Sequence, residues 1–269
     1  MKDFITCTKM KTFSIIIPTY NNLELFKGAY HSICMQEFKD YEIIIVDDSS
    51  DSCIEEYVDT LMDKDIIYHH NIPSLGAVNN WNLGLNMAKG KYIIVLHHDE
   101  AFVEKTYLRT LKDNFDSRTY DVIVSQVKVF NNMEEKVSLF SKKQIELFLL
   151  CPSFLFLCNV IGPCSCVSFS RSKLVDFDSN LTWLVDVDWY YRLLKGSKRV
   201  FLDNLHVNSF NDHNDKITNL IDIKATEIKD VALLKKKYKY HVGLRLCLFL
   251  NKCIILYNLK DIIKRIIRK

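Results

Sequence analysis

The first hundred residues alternate between short apolar runs and longer mixed stretches. Each run is mainly apolar and rich in β-branched residues, as strands buried on both faces are. The runs cover residues 13–17, 41–46, 66–69 and 92–96. The stretches between them predict helices, which cover about 23–36, 52–63 and 76–89, the last one stopped by Gly90. A series of this kind predicts an α/β fold with a parallel sheet.

Polar residues follow three of these strands directly. They are Pro-Thr-Tyr-Asn-Asn at 18–22, Asp-Asp-Ser-Ser at 47–50 and His-His-Asp-Glu at 97–100. The carboxyl ends of parallel strands meet at one edge of a sheet, where open α/β proteins bind their ligands. Asp99, at the end of a buried strand, is therefore a candidate for holding a divalent metal beside a phosphate. A solvated turn is the alternative for a single loop, but three converging loops favour a site.

The second half of the chain contributes another acidic candidate. Asp186 lies near the start of a predicted helix whose apolar positions recur at helical spacing. The helix dipole favours the ionised form of a carboxylate there, although structural acids are also common in first turns. Other elements are predicted over 103–115 (helix), 120–130 (strand), 165–170 (strand) and 222–239 (helix). The very apolar stretch 145–161 is too short and too polar to span a bilayer, so we expect a core helix or loop, or a surface facing the acceptor or a membrane.

Charge is distributed unevenly along the chain. The 269 residues are 48% hydrophobic and 26% charged, which is typical of one large globular domain or of a domain with a tail. Residues 235–269 hold 11 Lys or Arg and one acid, which leaves 25 basic and 32 acidic residues in 1–234. A strongly basic, partly apolar tail favours a helix in an anionic membrane interface. The alternative is a helix packed on the domain with its basic side in solvent.

Several functional classes are excluded by what the sequence lacks. It has no GxGxxG after the first strand and no GxxxxGK[ST], which argues against a Rossmann dinucleotide site and a P-loop. The acidic body does not suit a catalytic domain that binds nucleic acid. Its nine cysteines are scattered without a CxxC pair, so we expect reduced, buried thiols. No apolar signal-peptide core is visible at the amino terminus.

An ordered set of motifs is similar to the family 2 glycosyltransferases. The motifs are SIIIPTYN at 14–21, VDDSS at 46–50, the stretch 76–84, AKGKY at 88–92 and LHHDE at 96–100. The resemblance covers about residues 13–218. It implies the GT-A fold over 1–220, with an open, mostly parallel sheet flanked by helices. The charge and apolar pattern of the remaining residues, 221–269, predicts a basic amphipathic helical tail. The resemblance also implies transfer of a sugar, with inversion, from a nucleotide-diphosphate sugar such as a UDP-sugar.

The resemblance assigns roles to individual residues of the first half. The positions that correspond to nucleotide-sugar contacts are Thr19, Tyr20, Asp47, Asp48, Asn82 and His97. Trp81 stands where the family usually has Arg, so a charged contact is lost or replaced. The family's Asp-x-Asp motif corresponds to residues 97–99, so His97 replaces the first acid and Asp99 keeps the position that binds Mn²⁺ or Mg²⁺. One protein carboxylate suffices when phosphates supply other ligands. Glu100 is expected to cap the next helix.

The second half carries the base in this interpretation. Residues 183–193 are similar to the family's Glu-Asp-x-Asp segment, with Val185 in place of Glu. Asp186 then takes the position of the catalytic base and Asp188 supports it. A carboxylate within hydrogen-bond reach of an acceptor hydroxyl can remove its proton. His213 is similar to a late histidine of the family and is predicted to approach the metal or the diphosphate.

The expected acceptor is a hydroxyl of a glycan or of a lipid-linked molecule, in bacterial-type surface polysaccharide synthesis. The expected location is cytoplasmic and peripheral, at the inner face of the cell membrane, contacted through residues 235–269. One alternative is a nucleotidyltransferase, which should have a basic glycine-rich loop where residues 18–22 stand. Another is a non-catalytic nucleotide-binding or membrane-associated protein that kept the fold, favoured by the departures at Trp81, His97 and Val185.

Overall fold

One nine-stranded sheet organises the part of the chain that the structure, a computed structural model, describes: residues 10–131, 134–136, 140–211 and 222–256. The strands are β1 (Phe13–Thr19), β2 (Tyr41–Asp47), β3 (Ile66–His70), β4 (Tyr92–Val95), β5 (Glu100–Phe102), β6 (Val122–Asn131), β7 (Glu134–Lys136), β8 (Val167–Ser170) and β9 (Arg199–Phe210). The helices are α1 (Leu23–Cys34), α2 (Cys53–Asp59), α3 (Ala77–Met87), α4 (Tyr107–Arg118), α5 (Lys142–Leu150), α6 (Val185–Leu194), α7 (Ile223–Lys237) and α8 (Val242–Leu256). Short 3₁₀ helices cover Pro152–Phe156, Cys164–Cys166 and Arg171–Lys173.

The amino-terminal half of the sheet is parallel. β1 pairs in parallel with β2 on one side and with β4 on the other, and β3 pairs in parallel with β2. The central residues of β1, β2 and β4 are inaccessible to solvent, because helices cover both faces of the sheet there, whereas β3 at the edge is only partly buried. The four strands predicted from apolar runs are all present, and the α/β class is confirmed.

The carboxyl-terminal half makes the sheet mixed. β8 runs antiparallel to both β4 and β6, while β6 pairs in parallel with β9, and β5 closes the order antiparallel to β9. The strand order is β3-β2-β1-β4-β8-β6-β9-β5, with β7 paired to β6. β5 and β9 were not predicted. The β6–β9 register shifts between Ser125 and Gln126, and this irregularity interrupts the alternation that identifies a half-buried strand.

Two local predictions were wrong. α3 ends at Met87, before Gly90, and Gly90 serves close packing instead. A Cβ on Gly90 would lie 2.6 Å from the backbone of Phe13 and Ser14. Glu100 does not cap a helix, since it begins β5 and its carboxylate accepts a hydrogen bond of 2.9 Å from the His97 N–H.

The two carboxyl-terminal helices pack on the rest of the fold. Asp230 of α7 accepts hydrogen bonds from backbone N–H groups just before α6, and the Asn251 amide of α8 donates to the Phe156 carbonyl at 2.7 Å. The predicted boundary at 220/221 lies outside the described residues. Among those described, no helix is long and apolar enough to cross a bilayer.

Candidate active site

The three polar loops meet at one edge of the sheet, as the strand register requires. β1 and β2 place Thr19 opposite Asp47, and the Asp48 N–H donates to the Thr19 carbonyl at 3.0 Å. The Tyr20 N–H donates to Nδ1 of His98 at 3.1 Å, which ties the loop after β1 to the loop after β4. The His98 ring therefore helps to hold the edge together.

Asp47 and Asp48 are buried and bonded to their own chain. Asp47 accepts from the Ser49 N–H at 2.9 Å and from the Tyr68 hydroxyl at 2.8 Å. Asp48 accepts four hydrogen bonds from the loop at 71–76, at 2.6–3.0 Å. Asp48 therefore fixes the shape of that loop beside the edge. Direct contact of either carboxylate with a nucleoside stays a prediction.

Two buried polar atoms at this edge have no hydrogen-bond partner among the described residues. They are Oγ1 of Thr19 and Nε2 of His97. Buried polar groups are nearly always paired, so an unpaired one requires an explanation, and a bound ligand would supply partners for both. Tyr20 lies beside them with 44% of its surface exposed. These three residues are available to a ligand in the described structure.

Asn82 and Trp81 are engaged within the protein. The Asn82 amide exchanges two hydrogen bonds with the backbone of Phe177, at 2.7 and 3.0 Å, so it positions that loop. The Trp81 ring packs on His97 and on Phe177, with centroids 5.0 and 5.2 Å apart. The tryptophan that replaces the family's arginine thus forms an apolar wall against His97.

Three carboxylates act electrostatically on the His97 imidazole. Burial lowers the pKa of His97, but the negative charges of Glu100, Asp99 and Asp186 outweigh it and raise the pKa to about 9. Nδ1 of His97 lies 3.5 Å from Glu100 Oε2. The backbone of Asp99 is held beside the end of β9, because its main-chain carbonyl accepts a hydrogen bond from the Phe210 N–H at 2.9 Å. Asp99 and Asp186, from opposite halves of the chain, therefore act on the same imidazole.

Asp186 occupies the first turn of α6. Burial raises the pKa of its carboxyl, and the opposing effects of His97 and of the Cys164 hydrogen bond are smaller. The Cys164 thiol donates to Asp186 Oδ1 at 3.4 Å, and the Tyr190 hydroxyl lies 3.6 Å from the sulfur. A carboxylate with a raised pKa is a stronger general base than an exposed one. Sequence reasoning missed Cys164, because nothing in its local pattern indicates a partner 22 residues away.

Asp188 is not brought to the same place. Side chains two positions apart on an α-helix point about 200° apart around its axis. Asp188 therefore lies on the opposite face of α6 from Asp186. Its carboxylate is inaccessible to solvent and accepts from Arg192 Nε, Lys237 Nζ and the Tyr238 hydroxyl at 2.7, 3.0 and 2.6 Å. It fastens α6 to α7, and its supporting role in catalysis stays a prediction.

The residues present fit a metal that binds together with its substrate. Within the described ranges, no cluster of three or more His, Cys, Asp or Glu side chains could hold a metal ion. His213 lies outside those ranges. Asp99 alone would leave most ligand positions to phosphate oxygens and water, which is how Mg²⁺ is commonly bound in nucleotide sites.

The comparisons with known proteins agree with this architecture. Residues 14–175 match the model of the family "Glycosyl transferase family 2". An uncharacterized glycosyltransferase of Rickettsia typhi is 27% identical over 240 residues, which are 84% of this chain and 72% of the relative. The putative colanic acid biosynthesis glycosyl transferase WcaA of Escherichia coli is 37% identical over 91 residues, 33% of each protein.

Two solved structures share the fold. S. aureus TarS in complex with UDP-GlcNAc superposes with a TM-score of 0.69 at 16% identity, over 91% of this chain and 73% of that one. The mannosyltransferase PcManGT from Pyrobaculum calidifontis, in complex with GDP-Man and Mn²⁺, has a TM-score of 0.61 at 15% identity, over 92% of this chain and 70% of that one. At such identities the likeness establishes the fold alone. The family match also ends before α6, so it does not include Asp186.

Proposed function

Because the chain belongs to glycosyl transferase family 2, we propose that it moves a sugar from a nucleotide-diphosphate sugar to an acceptor hydroxyl, with inversion at the anomeric carbon. The observation that supports this most is the shared effect of Asp99 and Asp186 on His97. A donor-side acid and a base candidate thus both influence the charge of one imidazole. The expected donor is a UDP-sugar, since a neighbouring structure was solved with UDP-GlcNAc.

The donor would bind along the edge formed by the loops after β1, β2 and β4. Oγ1 of Thr19 and Nε2 of His97 are unpaired in the described structure and would bond to the nucleotide sugar. Asp48 keeps the neighbouring loop in shape, and Tyr20 offers an exposed ring. A Mn²⁺ or Mg²⁺ ion held by Asp99, with His213 proposed beside it, would neutralise charge on the leaving diphosphate.

Asp186 would act as the general base. The acceptor hydroxyl attacks the anomeric carbon from the face opposite the departing diphosphate, and its proton passes to the Asp186 carboxylate. Burial raises the pKa of Asp186 and makes the carboxylate a better proton acceptor. The Cys164 thiol would hold one oxygen and leave the other for the hydroxyl. Asp188 would keep α6 in position through α7.

The proposed acceptor is a glycan or a lipid-linked intermediate of surface polysaccharide synthesis. This part of the proposal is supported by the likeness to WcaA, a putative colanic acid biosynthesis enzyme. Contact of residues 235–269 with the inner face of the cell membrane belongs to the same proposal. At that membrane surface the protein would bind a lipid-linked acceptor.

Donor binding and slow donor hydrolysis test the proposal. The purified protein would be titrated calorimetrically with UDP- and GDP-sugars, with and without Mn²⁺, and the hydrolysed sugar examined by NMR. We expect metal-dependent binding of one donor, and release of the sugar with inverted anomeric configuration. Asp99→Asn should lose the metal dependence. Asp186→Asn should bind donor normally and hydrolyse it at least about 100-fold more slowly.

The matched control is Asp176→Asn, which changes an exposed aspartate near α6 and should behave as the wild type. Absence of binding by every donor would reject the transferase and favour a non-catalytic protein that kept the fold. Wild-type hydrolysis by Asp186→Asn would reject Asp186 as the base. Retention of configuration would reject the inverting mechanism.

A further inference from the structure

α8 is apolar on two opposite sides. Its inner side, with Leu244, Cys247 and Leu248, is at most 5% exposed and packs on the fold. Its outer side also consists of large apolar residues, and their exposed fractions lie between 42% and 82%. This outer face is formed by Val242, Leu246, Phe249 and Leu250. The four positions follow helical spacing and form one stripe.

Such a stripe is unusual for a helix at a protein surface, where the outward side is normally polar. Single exposed apolar residues need no explanation, but a contiguous patch marks an interaction site. Tyr240, in the turn before α8, extends it with 87% of its surface exposed. The outer face therefore requires an apolar partner.

The surroundings of the outer face are cationic. Residues 235–256 contain six Lys or Arg and no acid, and of these Lys237 is paired with Asp178 and Asp188 within the fold. Lys235 Nζ lies 5.7 Å from the centre of the Phe249 ring, and Lys236, Lys239 and Arg245 are exposed near the same helix. An apolar stripe bordered by cations complements a surface that is apolar in depth and anionic at its rim, which describes an acidic lipid bilayer.

We propose that the outer face of α8 inserts into the interface of an anionic bilayer, with the bordering cations on lipid phosphates. The inference deepens the membrane contact of the proposed function by naming the face and the lipid charge. The contacts of α8 also extend to the helix of the proposed base. Asn251 of α8 donates to the Phe156 carbonyl, and the ring centres of Phe156 and Tyr191 of α6 lie 5.6 Å apart. One residue thus joins the lipid-facing helix to the helix that carries Asp186.

Flotation of the full chain with vesicles tests this inference without the transfer reaction. The vesicles would contain phosphatidylcholine alone, or phosphatidylcholine mixed with phosphatidylglycerol. We expect binding to the mixed vesicles only, and weaker binding at high salt. Leu246→Ser with Phe249→Ser should reduce the bound fraction at least about tenfold, because two large apolar side chains are removed from the interface. Lys236→Gln with Arg245→Gln should weaken binding while leaving the stripe intact.

The matched control is Met62→Ser, which replaces a fully exposed apolar residue remote from α8 in sequence and should leave binding unchanged. Thermal melting and donor binding establish that each variant is folded. Equal binding of the wild type and the Leu246/Phe249 variant would overturn the inference, as would absence of binding to mixed vesicles. If the wild type is a dimer and the double variant is a monomer, the outer face is assigned to contact with a second copy of the chain. Faster amide hydrogen exchange of residues 257–269 in that variant would assign the outer face to the chain's own carboxyl-terminal residues. Either result overturns the lipid assignment and leaves the proposed transfer untouched.

Discussion

At the scale of single residues, the contact between Cys164 and Asp186 sets the state of the proposed base. A thiol is a weak hydrogen-bond donor, so it stabilises the ionised carboxylate less than a hydroxyl or an N–H would. The balance of burial against this bond and His97 leaves the pKa of Asp186 raised. The carboxylate thus keeps an affinity for protons that an exposed aspartate lacks, which suits a group that must accept one.

Cys164→Ala should shift the acidic limb of the pH profile of kcat/KM to higher pH. The base is active when ionised, so activity rises with pH through the pKa of Asp186, and loss of the donor raises that pKa further. The shift should be about 0.5–1 pH unit, the equivalent of one hydrogen bond. The measurement is kcat/KM for donor hydrolysis against pH. Activity on the alkaline plateau should not change.

Two variants make this result specific. Cys164→Ser keeps a donor, and a stronger one, so its acidic limb should lie at or below the pH of the wild-type limb. Cys166→Ala removes another fully buried thiol, two positions along the same 3₁₀ helix, and should leave the acidic limb in place. If all three variants have the same acidic limb as the wild type, the Cys164 thiol does not influence the proposed base.

At the scale of elements, α7 fastens the amino-terminal half of α6. The N-cap residue of α6, Leu184, provides no side-chain cap. Asp230 instead holds the turn that leads into the helix, since its Oδ2 accepts from the N–H groups of Thr182, Trp183 and Leu184 at 2.7–3.0 Å. Lys237 and Tyr238 hold Asp188 further along α6. The helix that carries the base is positioned by a later one.

Asp230→Ala should destabilise the protein and slow the proposed reaction. Three N–H groups would lose their acceptor at a position inaccessible to solvent, at a cost of about 3 kcal/mol in the free energy of unfolding. We expect kcat to fall while donor affinity is kept, because the donor edge belongs to other elements. Denaturant unfolding and donor titration measure the two effects. Asp222→Ala, which removes the exposed cap of α7 itself, is the matched control and should have a smaller effect on kcat. A parallel loss of donor affinity in Asp230→Ala would contradict this division.

The elements that could be predicted are those whose sequence pattern lies within the element itself. β1, β2 and β4 are apolar runs ended by polar residues, so the sequence contains their bounds. β9 contains Asp203, Asn204 and His206 within an interrupted alternation, and only pairing with β6 and β5 reveals it as a strand. The same limit applies to the site. Asp99 could be selected from a local pattern, and Thr19 and Asp186 from the family resemblance, whereas the partners of Asp188 lie 49 and 50 residues away, at the end of α7.

At the scale of the whole molecule, residues 223–256 complete the fold. A chain that ends at residue 222 would lose Asp230, Lys237 and Tyr238 and would uncover Phe156, which packs on Tyr238. Asp188 would keep its ion pair with Arg192 but lose its bonds to Lys237 and Tyr238. We expect the truncated chain to melt at a lower temperature, by 10 °C or more as a rough estimate for several lost buried interactions. Circular dichroism would measure it.

A chain that ends at residue 256 is the control for this truncation. It keeps α7 and α8 with all the contacts given above, so its melting temperature should lie closer to that of the full chain than that of the shorter chain does. Equal melting of the chain that ends at residue 222 would show that the two helices are an appendage and not part of the core.

The loops of the donor edge are joined across long separations in sequence. The bond from Tyr20 to His98 spans 78 residues, and the bond from Asn21 to Ser49 spans 28. Closing such loops is entropically unfavourable until the strands between them have paired, so we expect the edge to form late in folding. The proposed donor would then bind only the folded protein. Its binding energy would add to the stability of the native state by mass action and lower the population open to proteases. The lifetime of the protein in a cell should therefore depend on the supply of its own substrate.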